Sequence, residues 1–516
     1  MRRSHLPVGG VGRGLLGVAV VCIVAAIVAV TLTHSSERPR AAPVGPAAGS
    51  PTSSTSLGVA FPADLYWNSP ADTIADFDLA AGTSLRSVRL PVFWGLVQPT
   101  DSRTYDWRVV DRLIADASRR NLSILVSIGS TPAWAAAPGS TGPYAEPADP
   151  AAYGRFVSAV ATRYRGTIAA YEMWNEPNGT IFFDPRPDPV AYTALLKAGY
   201  RAVKAADPNA TVVGGALGAV IDSAVTANPV DFLQQMYDAG AGGSFDALSF
   251  HPYKYDLSLG SAWTMPNSPG QQLSAMRELM LARGDGAKKI WATEFGAPTT
   301  TLDEGQQSAV IADFLDKWAE LPYAGPVFLF TTRDRATGNG MTEDNFGLLR
   351  TDRSTKDAMW KVAELAHFGV PTTPEYREFQ DSAEPDPAWG EALSPVVPVT
   401  RSGILGRYYQ RTAVYRTPKG FLTSPAPVAA LIARADTYPT TEFDDGHQDV
   451  ASGGRVYWSD ATGTHLVGGG VVEAWTRAFG LAITDEVPQP NGGVKVTFER
   501  GVITWSPSAG AIGMRS

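Results

Sequence analysis

The stretch Ile168–Asn178, IAAYEMWNEPN, combines a short apolar run with a polar turn. We predict a β-strand over Ile168–Trp174, with Asn175 and Glu176 directly after it. The proline that follows Glu176 disfavours a helical backbone at this glutamate, so we expect an extended conformation that fixes the direction of its carboxylate. The stretch therefore predicts a buried strand that presents a carboxylate at its carboxyl end.

Seven further runs resemble this strand, and helical patterns separate them between Leu57 and about Val370. One such helix is Trp107–Arg119, and Asp149-Pro150 begins another. Eight strand–helix units in about 310 residues favour an α/β fold of the (β/α)₈ TIM-barrel type over an open doubly wound sheet, the alternative that periodicity leaves open. The eight predicted strands are Gly58–Phe61, Ser87–Val92, Ser123–Ile128, Ile168–Trp174, Thr211–Gly214, Ala247–Phe250, Ile290–Thr293 and Val327–Phe330.

A second carboxylate follows the seventh predicted strand, in the stretch Ile290–Gly296, IWATEFG. In a barrel, Glu176 and Glu294 would both face the mouth from strand ends. Either glutamate alone would be explained by a solvated or salt-bridged role. Together they suit the cleavage of an acetal, because one group protonates the leaving oxygen while the other attacks the anomeric carbon.

The amino-terminal residues indicate a membrane segment. Arg2, Arg3 and Arg13 precede the uncharged apolar run Gly14–Leu32, which is close to the ~20 residues that span a bilayer. The run is longer than a usual signal-peptide core, which favours an uncleaved anchor over a cleaved signal. We therefore assign residues 1–34 to a cytoplasmic tip and a single transmembrane helix.

Residues 35–56 are rich in Pro, Ala, Ser, Gly and Thr and have almost no large apolar side chains, so we predict a disordered linker. The barrel would then occupy residues 57–370 on the extracytoplasmic side of the membrane. If the amino-terminal segment is cleaved, the protein would be secreted.

Beyond residue 370 strong helices mostly disappear, and a repeat is visible. GRVYWS at 454–459 aligns with GVITWS at 501–506, and a degenerate copy, AVYRTP, lies at 413–418. Copies that cannot bury their apolar faces singly predict a small module of packed repeats over residues 371–516.

Composition excludes several classes of protein. The net charge of −8 argues against a nucleic-acid binder, because neutralising phosphates needs a concentrated basic surface. Cys22 is the single cysteine, which excludes intrachain disulfides. We expect no metal site and no cofactor, since two carboxylates suffice for hydrolysis of an acetal, and we expect a monomer.

The motifs Trp174-Asn175-Glu176-Pro177 and Trp291–Gly296 resemble those of the acid/base and the nucleophile in retaining glycoside hydrolases of clan A. The stretch Trp94–Trp134 is similar to family 39 and related families. The resemblance covers roughly residues 57–366. It implies that Glu176 is the acid/base, that Glu294 is the nucleophile, and that their carboxyl groups lie roughly 5–5.5 Å apart.

The resemblance also implies supporting residues. Arg89 would approach the nucleophile and keep it ionised, although an ion pair at the barrel bottom is the alternative. Asn175 would bind the 2-hydroxyl of the sugar. His251 and Tyr253 follow the sixth strand, where relatives carry a His or Tyr that orients a catalytic carboxylate; a satisfied core histidine is the alternative.

Aromatic side chains commonly form the floor of a sugar site. Trp94 and Trp134 are the substrate-binding candidates, and Phe182 and Phe183 are further ones. Each of the four could instead be a core residue. Many clan members carry a Trp at strand eight, whereas this chain has Phe330 followed by Thr331–Asp334. This difference suggests a charged or unusually shaped substrate.

The carboxyl-terminal copies resemble LGFP repeats, which suggests attachment to cell-wall glycan; a module that only stabilises the barrel is the alternative. We therefore predict a retaining, membrane-anchored glycosidase of the cell envelope that acts on an envelope or external polysaccharide. The rival interpretations are a non-catalytic wall-binding protein and a transglycosylase that uses the same two glutamates.

Overall fold

The computed structural model describes residues 56–382, 386–401 and 403–516. The predicted transmembrane helix and nearly all of the linker lie outside these ranges. Within them, no helix is both long enough and apolar enough to cross a bilayer.

The first eight strands close into a parallel barrel in sequential order, and strand eight pairs with strand one. This confirms the predicted (β/α)₈ fold and every predicted strand, with shifted ends. The strands are β1 (Leu57–Ala60), β2 (Ser87–Phe93), β3 (Ser123–Gly129), β4 (Ala170–Met173), β5 (Thr211–Gly218), β6 (Ala247–His251), β7 (Ile290–Phe295) and β8 (Ala324–Phe330).

Helices follow the strands and surround the barrel. They are α1 (Pro70–Gly82), α2 (Trp94–Val97), α3 (Arg108–Ser118), α4 (Pro150–Arg163), α5 (Pro189–Ala206), α6 (Pro229–Asp238), α7 (Leu259–Ala262), α8 (Pro269–Ala282), α9 (Glu304–Ala319), α10 (Asp357–Phe368) and α11 (Pro374–Ser382). Short 3-10 helices lie at Ala63–Tyr66, Ala133–Ala135 and Thr342–Asp344.

Side-chain caps explain where several helices begin. The carboxylate of Asp149 accepts a hydrogen bond from the N–H of Ala151, and Pro150 occupies the first turn of α4, where its missing N–H costs nothing. At α9, Asp303 and Gln306 form a reciprocal capping box. These local signals place the helix starts, and therefore the loops that precede them, above the barrel mouth.

Two layers of apolar side chains hold the barrel. Inside it, Ala60, Leu125, Ala170, Val213 and Phe328 form a small cluster. A much larger cluster fills the space between the strands and the surrounding helices. The interior is therefore packed, which leaves the carboxyl ends of the strands as the place for an open site.

The carboxyl-terminal region contains three small antiparallel sheets, one for each predicted copy. The first has β9 (Val397–Pro398), β10 (Leu405–Tyr408), β11 (Thr412–Thr417) and β12 (Gly420–Pro425); helix α12 (Ala426–Arg434) follows. The second has β13 (His447–Asp449), β14 (Arg455–Ser459) and β15 (Gly463–Val467), and α13 (Gly469–Val472) follows. The third has β16 (Val487–Pro488), β17 (Val494–Phe498), β18 (Gly501–Ser506) and β19 (Gly510–Arg515). Further 3-10 turns lie at Pro387–Trp389 and Arg477–Phe479.

The first and third sheets share one strand order, so the degenerate copy at 413–418 is a true structural repeat. This copy is packed directly on the barrel. Arg277 of α8 forms a two-pronged ion pair with Glu391 at 2.7 and 2.8 Å, and the hydroxyl of Tyr323 donates to the carbonyl of Leu393. Val397 and Tyr415 belong to the same apolar core as the barrel helices. The first repeat thus extends the barrel core. The second repeat contributes Val450 and Val456 to the same core and shares a separate, smaller core with the third.

Candidate active site

A cleft of about 430 Å³ opens at the carboxyl ends of the barrel strands. Glu176, three residues beyond the end of β4, and Glu294, near the end of β7, both line it, together with Arg89, Asn175 and Tyr253. The side chains of the two glutamates are 24% and 15% exposed, so both are accessible from the cleft while largely shielded from bulk water.

The backbone of Glu176 differs from the sequence expectation. Its φ is +42°, in the left-handed region, rather than extended. Its N–H donates to the carbonyl of Ala216, and its own carbonyl accepts from Gly179. A left-handed non-glycine residue costs about 1–3 kcal/mol, so the surrounding contacts must hold it in place. The carboxylate is therefore aimed by the turn as a whole, and the proline restriction alone did not predict its conformation.

A bulge in β5 makes room for this carboxylate. The register between β5 and β6 shifts between Gly214 and Leu217, which carries Gly218 to the cleft. A Cβ atom on Gly218 would lie 3.3 Å from the carboxyl carbon of Glu176. The amide of Asn178 locks the same turn, because it donates to the carbonyls of Gly218 and Ala227 and accepts from the N–H of Gly218.

Arg89 of β2 connects the acidic groups of the site. Its Nη1 donates to Glu294, its Nη2 donates to Asn175 at 2.7 Å, and its Nε donates to Glu172 of β4 at 2.7 Å. The ion pair thus lies at the cleft, next to Glu294, and the barrel-bottom alternative is wrong. Burial alone would raise the pKa of Glu172, but the guanidinium holds it below its usual value.

His251 lies between the two candidate catalytic groups. Its Nδ1 is 2.9 Å from Oε1 of Glu176 and 3.8 Å from Oε2 of Glu294. The distance between these two carboxylate oxygens therefore cannot exceed the sum of the two distances. That upper limit lies near the lower end of the roughly 6.5–9.5 Å that separates the carboxyl groups of inverting enzymes. The geometry places both carboxylates around one sugar-sized gap.

The imidazole of His251 is fully buried and its Nε2 lies 3.0 Å from the hydroxyl of Thr293. Burial by itself would lower the pKa of His251, but Glu294 and the hydrogen bond to Glu176 outweigh it and raise the pKa above 6.5. Both ring nitrogens of His251 thus have partners within the site, Glu176 and Thr293. The alternative of a core histidine unrelated to the carboxylates is therefore wrong.

Tyr253 donates its hydroxyl to Oε2 of Glu294 at 3.1 Å. Burial, followed by the negative charge of Glu294, raises the pKa of this phenol well above its ordinary value. The hydroxyl therefore stays protonated, and Glu294 receives hydrogen bonds from Tyr253 and Arg89 on different oxygens.

The predicted sugar-binding role of Trp94 and Trp134 is not supported. Trp94 is fully buried, its indole N–H donates to the side chain of Gln98, and its ring stacks on Phe156. Trp134 packs edge-on against Trp94 and donates to the carbonyl of Gln98. Neither lines the cleft, because Trp94, directly after β2, and Trp134, in the loop after β3, pack against each other and Trp94 packs on Phe156 of α4.

The two phenylalanine candidates, Phe182 and Phe183, lie in different surroundings. Phe182 lines the cleft and packs edge-on against Tyr144, whereas Phe183 is fully buried. Phe330, at the end of β8, also lines the cleft and packs on Phe346. Among the charged residues after it, Asp334 is paired with the buried Lys356 at 2.9 Å. That charge serves the fold, so it gives no support for a charged substrate.

Several cleft residues were not found from the sequence. They come from the loops after β3, β6 and β8, where no strand or helix pattern marks a position, and they are Tyr144, Tyr255, Arg335 and Glu343. Glu343 is a third carboxyl group in the cleft, and burial together with Glu294 raises its pKa. Glu172 was missed as well, although a glutamate inside the apolar strand AYEM signals a buried charge that needs a partner.

Comparison with solved structures gives the same architecture. A family 39 glycoside hydrolase from Bacteroides cellulosilyticus WH2 superposes with a TM-score of 0.50 at 20% identity, over 70% of each chain. A monomeric β-xylosidase from Caulobacter crescentus CB15 gives 0.49 at 16% identity, over 71% of this chain and 74% of the other. A GH5_18 enzyme from Streptomyces cattleya, in complex with GlcNAc, gives 0.48 at 18% identity, over 62% and 82%. No curated protein matches the sequence.

Two sequence families match the chain. The LGFP repeat matches residues 438–478 and 479–515, which correspond to the second and third small sheets. The model of the cellulase family, glycosyl hydrolase family 5, matches residues 45–323, more than half of the chain. These matches agree with the clan A motifs and with the barrel. The chain belongs to the cellulase family, glycosyl hydrolase family 5, and is a glycosidase that carries carboxyl-terminal LGFP repeats.

Proposed function

We propose that the enzyme cleaves O-glycosidic bonds with net retention, through a covalent intermediate on Glu294. The observation that carries the proposal is the single nitrogen of His251 that lies within 4 Å of both carboxylates. The upper limit that this sets on the distance between the two oxygens is compatible with the roughly 5–5.5 Å between the carboxyl groups of retaining enzymes, and it leaves only the lower end of the range of inverting enzymes.

In the first step, Glu294 attacks the anomeric carbon while Glu176 donates its proton to the leaving oxygen. In the second step, Glu176 takes a proton from water, and the resulting hydroxide breaks the bond between the sugar and Glu294. Arg89 and Tyr253 hold Glu294 in line with the anomeric carbon through their two hydrogen bonds. Asn175, itself held by Arg89, is placed to bind the 2-hydroxyl of the sugar.

The test uses three Gln variants of cleft carboxylates. Glu294→Gln should lower kcat on every aryl glycoside by about 10³-fold or more, because no nucleophile remains. Glu176→Gln should do so for poor leaving groups and have less effect on dinitrophenyl leaving groups, which need no proton. Glu343→Gln is the matched control from the same cleft and should retain activity within about tenfold.

Product anomers complete the test. Proton NMR during hydrolysis should show the product first in the configuration of the substrate. Initial formation of the opposite anomer would refute retention. A protein that binds wall glycan but releases no reducing ends would be the non-catalytic binder, and transfer to a sugar in preference to water would identify a transglycosylase.

We further propose that the enzyme acts at the cell envelope, on an envelope or external polysaccharide. The apolar run at residues 14–32 supports an anchor, and the LGFP matches support attachment to wall glycan. Deletion of residues 438–516 should abolish binding to isolated cell walls and leave hydrolysis of a small aryl glycoside unchanged. Wall binding that survives the deletion would leave the repeats with a packing role.

A further inference from the structure

A second cavity, of about 860 Å³, adjoins the catalytic cleft and is about twice its volume. We call it the apolar groove. Its walls come from the loops after β1, β2 and β3, and it shares Ala63, Phe93 and Tyr144 with the cleft. A substrate bound at the two glutamates can therefore extend into the groove without leaving the protein surface.

The lining of the apolar groove offers few polar partners to a sugar. Among its described residues, none carries a charge or a carboxamide, and most are Ala, Gly, Pro or large apolar side chains. Two of its hydroxyl groups are already committed, because Thr131 donates to the carbonyl of Ala145 and Ser140 donates to that of Asp184. A sugar ring would find few partners there for its hydroxyls, whereas the catalytic cleft offers arginine, asparagine and carboxylates.

Exposed apolar side chains border the same region. Trp67 is 62% exposed and Leu96 is 43% exposed, and both line the apolar groove. Ile181, at 80% exposure, lines the neighbouring catalytic cleft. An apolar ligand that covers such side chains removes their surface from water, which stabilises the complex.

The position of the groove indicates which part of the substrate it meets. Glu176 faces Gly218 and His251, at the ends of β5 and β6, and the acid/base stands beside the leaving group. The groove lies on the other side of the cleft, at β1 to β3, and Arg89 of β2 donates to Glu294 from that side. The groove is thus on the side of the sugar that becomes attached to Glu294.

We infer that the apolar groove binds an alkyl chain carried by the sugar that the enzyme retains, so that the substrate is an acylated glycan. This inference rests on the proposed function, because the roles of Glu176 and Glu294 define the two sides of the cleft. The alkyl chain covers Trp67 and Leu96, while the reacting sugar occupies the polar cleft.

The kinetic test uses the methylumbelliferyl glycoside that the enzyme hydrolyses best, esterified on the retained sugar with acetyl or octanoyl groups. The ratio of kcat/KM for octanoyl over acetyl should be about tenfold or more, since each buried methylene is favourable. Leu96→Asp should bring this ratio close to one. Ile512→Asp, a matched exposed aliphatic position in β19, should leave the ratio unchanged.

A binding test decides the inference without turnover. Dansyl-labelled undecanoic acid should bind the wild-type protein and the Glu294→Gln variant equally, and Leu96→Asp should weaken binding about tenfold or more. If no glycoside is hydrolysed, the proposed function fails, and the probe still reports on the groove. The inference would be overturned if octanoyl and acetyl substrates had equal kcat/KM, or if the probe did not bind. It would also be overturned if kcat/KM rose only with alkyl leaving groups or only with longer unacylated oligosaccharides.

Discussion

The Nδ1 atom of His251 lies 2.9 Å from Oε1 of Glu176, and the imidazole is fully buried between β5 and β7. The histidine is thus bonded directly to the proposed acid/base and also lies within reach of the proposed nucleophile. This arrangement couples the protonation of one buried ring to the charge of both carboxylates, and it gives the site a dependence on pH.

The first prediction concerns stability against pH. The carboxylates raise the folded-state pKa of His251 above 6.5, so protonation of the ring favours the folded state. That contribution is fully present below about pH 6.5 and is lost as the pH rises through the raised pKa. Urea unfolding at several pH values should show the stability difference between wild type and His251→Gln shrinking as the pH rises. A difference that grows over the same range would contradict this assignment.

Removing Arg89 should destabilise the fold. Its side chain is 5% exposed and its partner Glu172 is fully buried, so Arg89→Met leaves an unpaired charge in the interior. We expect a loss of about 3–5 kcal/mol in the free energy of unfolding. The double variant Arg89→Met/Glu172→Gln should recover part of this loss, because the unpaired charge is gone. Equal stability of the single and double variants would argue against this ion pair as the cause.

The hydroxyl of Tyr253 should matter for catalysis. Tyr253→Phe removes the hydrogen bond to Glu294 and should lower kcat/KM by about 10–100-fold, the range for hydrogen bonds to charged groups. Tyr255→Phe is the control, since Tyr255 lines the same cleft and makes ring contacts with Tyr253 and Phe346. Equal effects of the two substitutions would show that the bond to Glu294 has no special role.

The corrected position of Trp94 leads to a further prediction. Trp94→Ala should cost about 3–5 kcal/mol of stability, because it opens a cavity in the core. Its KM for a small aryl glycoside should stay within about twofold of wild type. Phe330→Ala, at the cleft, should instead raise KM with little loss of stability. The opposite pattern in calorimetry and kinetics would restore Trp94 to the site.

Most of the barrel could be predicted from the sequence. The parallel strands are buried on both faces, so they appear as short apolar runs, and eight of them in regular alternation with helices favour closure. The rule that strand ends carry the site then placed Glu176 and Glu294 together. Strand position also placed His251 and Arg89, since both lie on barrel strands.

The positions of the loop residues could not be predicted from the sequence, for a physical reason. Tyr144, Arg335 and Glu343 reach the cleft from irregular segments whose course depends on distant contacts. Trp94 has the composition of a sugar platform, but a buried hydrogen bond to Gln98 decides its direction. The left-handed backbone of Glu176 likewise depends on the carbonyl of Ala216, forty residues away in sequence.

Trapping the covalent intermediate would show directly which carboxylate attacks the sugar. A 2-deoxy-2-fluoro analogue of a hydrolysed aryl glycoside should inactivate the enzyme, and mass spectrometry of a protease digest should find the sugar attached to Glu294. Attachment to Glu176 or Glu343, or full turnover of the analogue with inversion and no labelled peptide, would rule out Glu294 as the nucleophile.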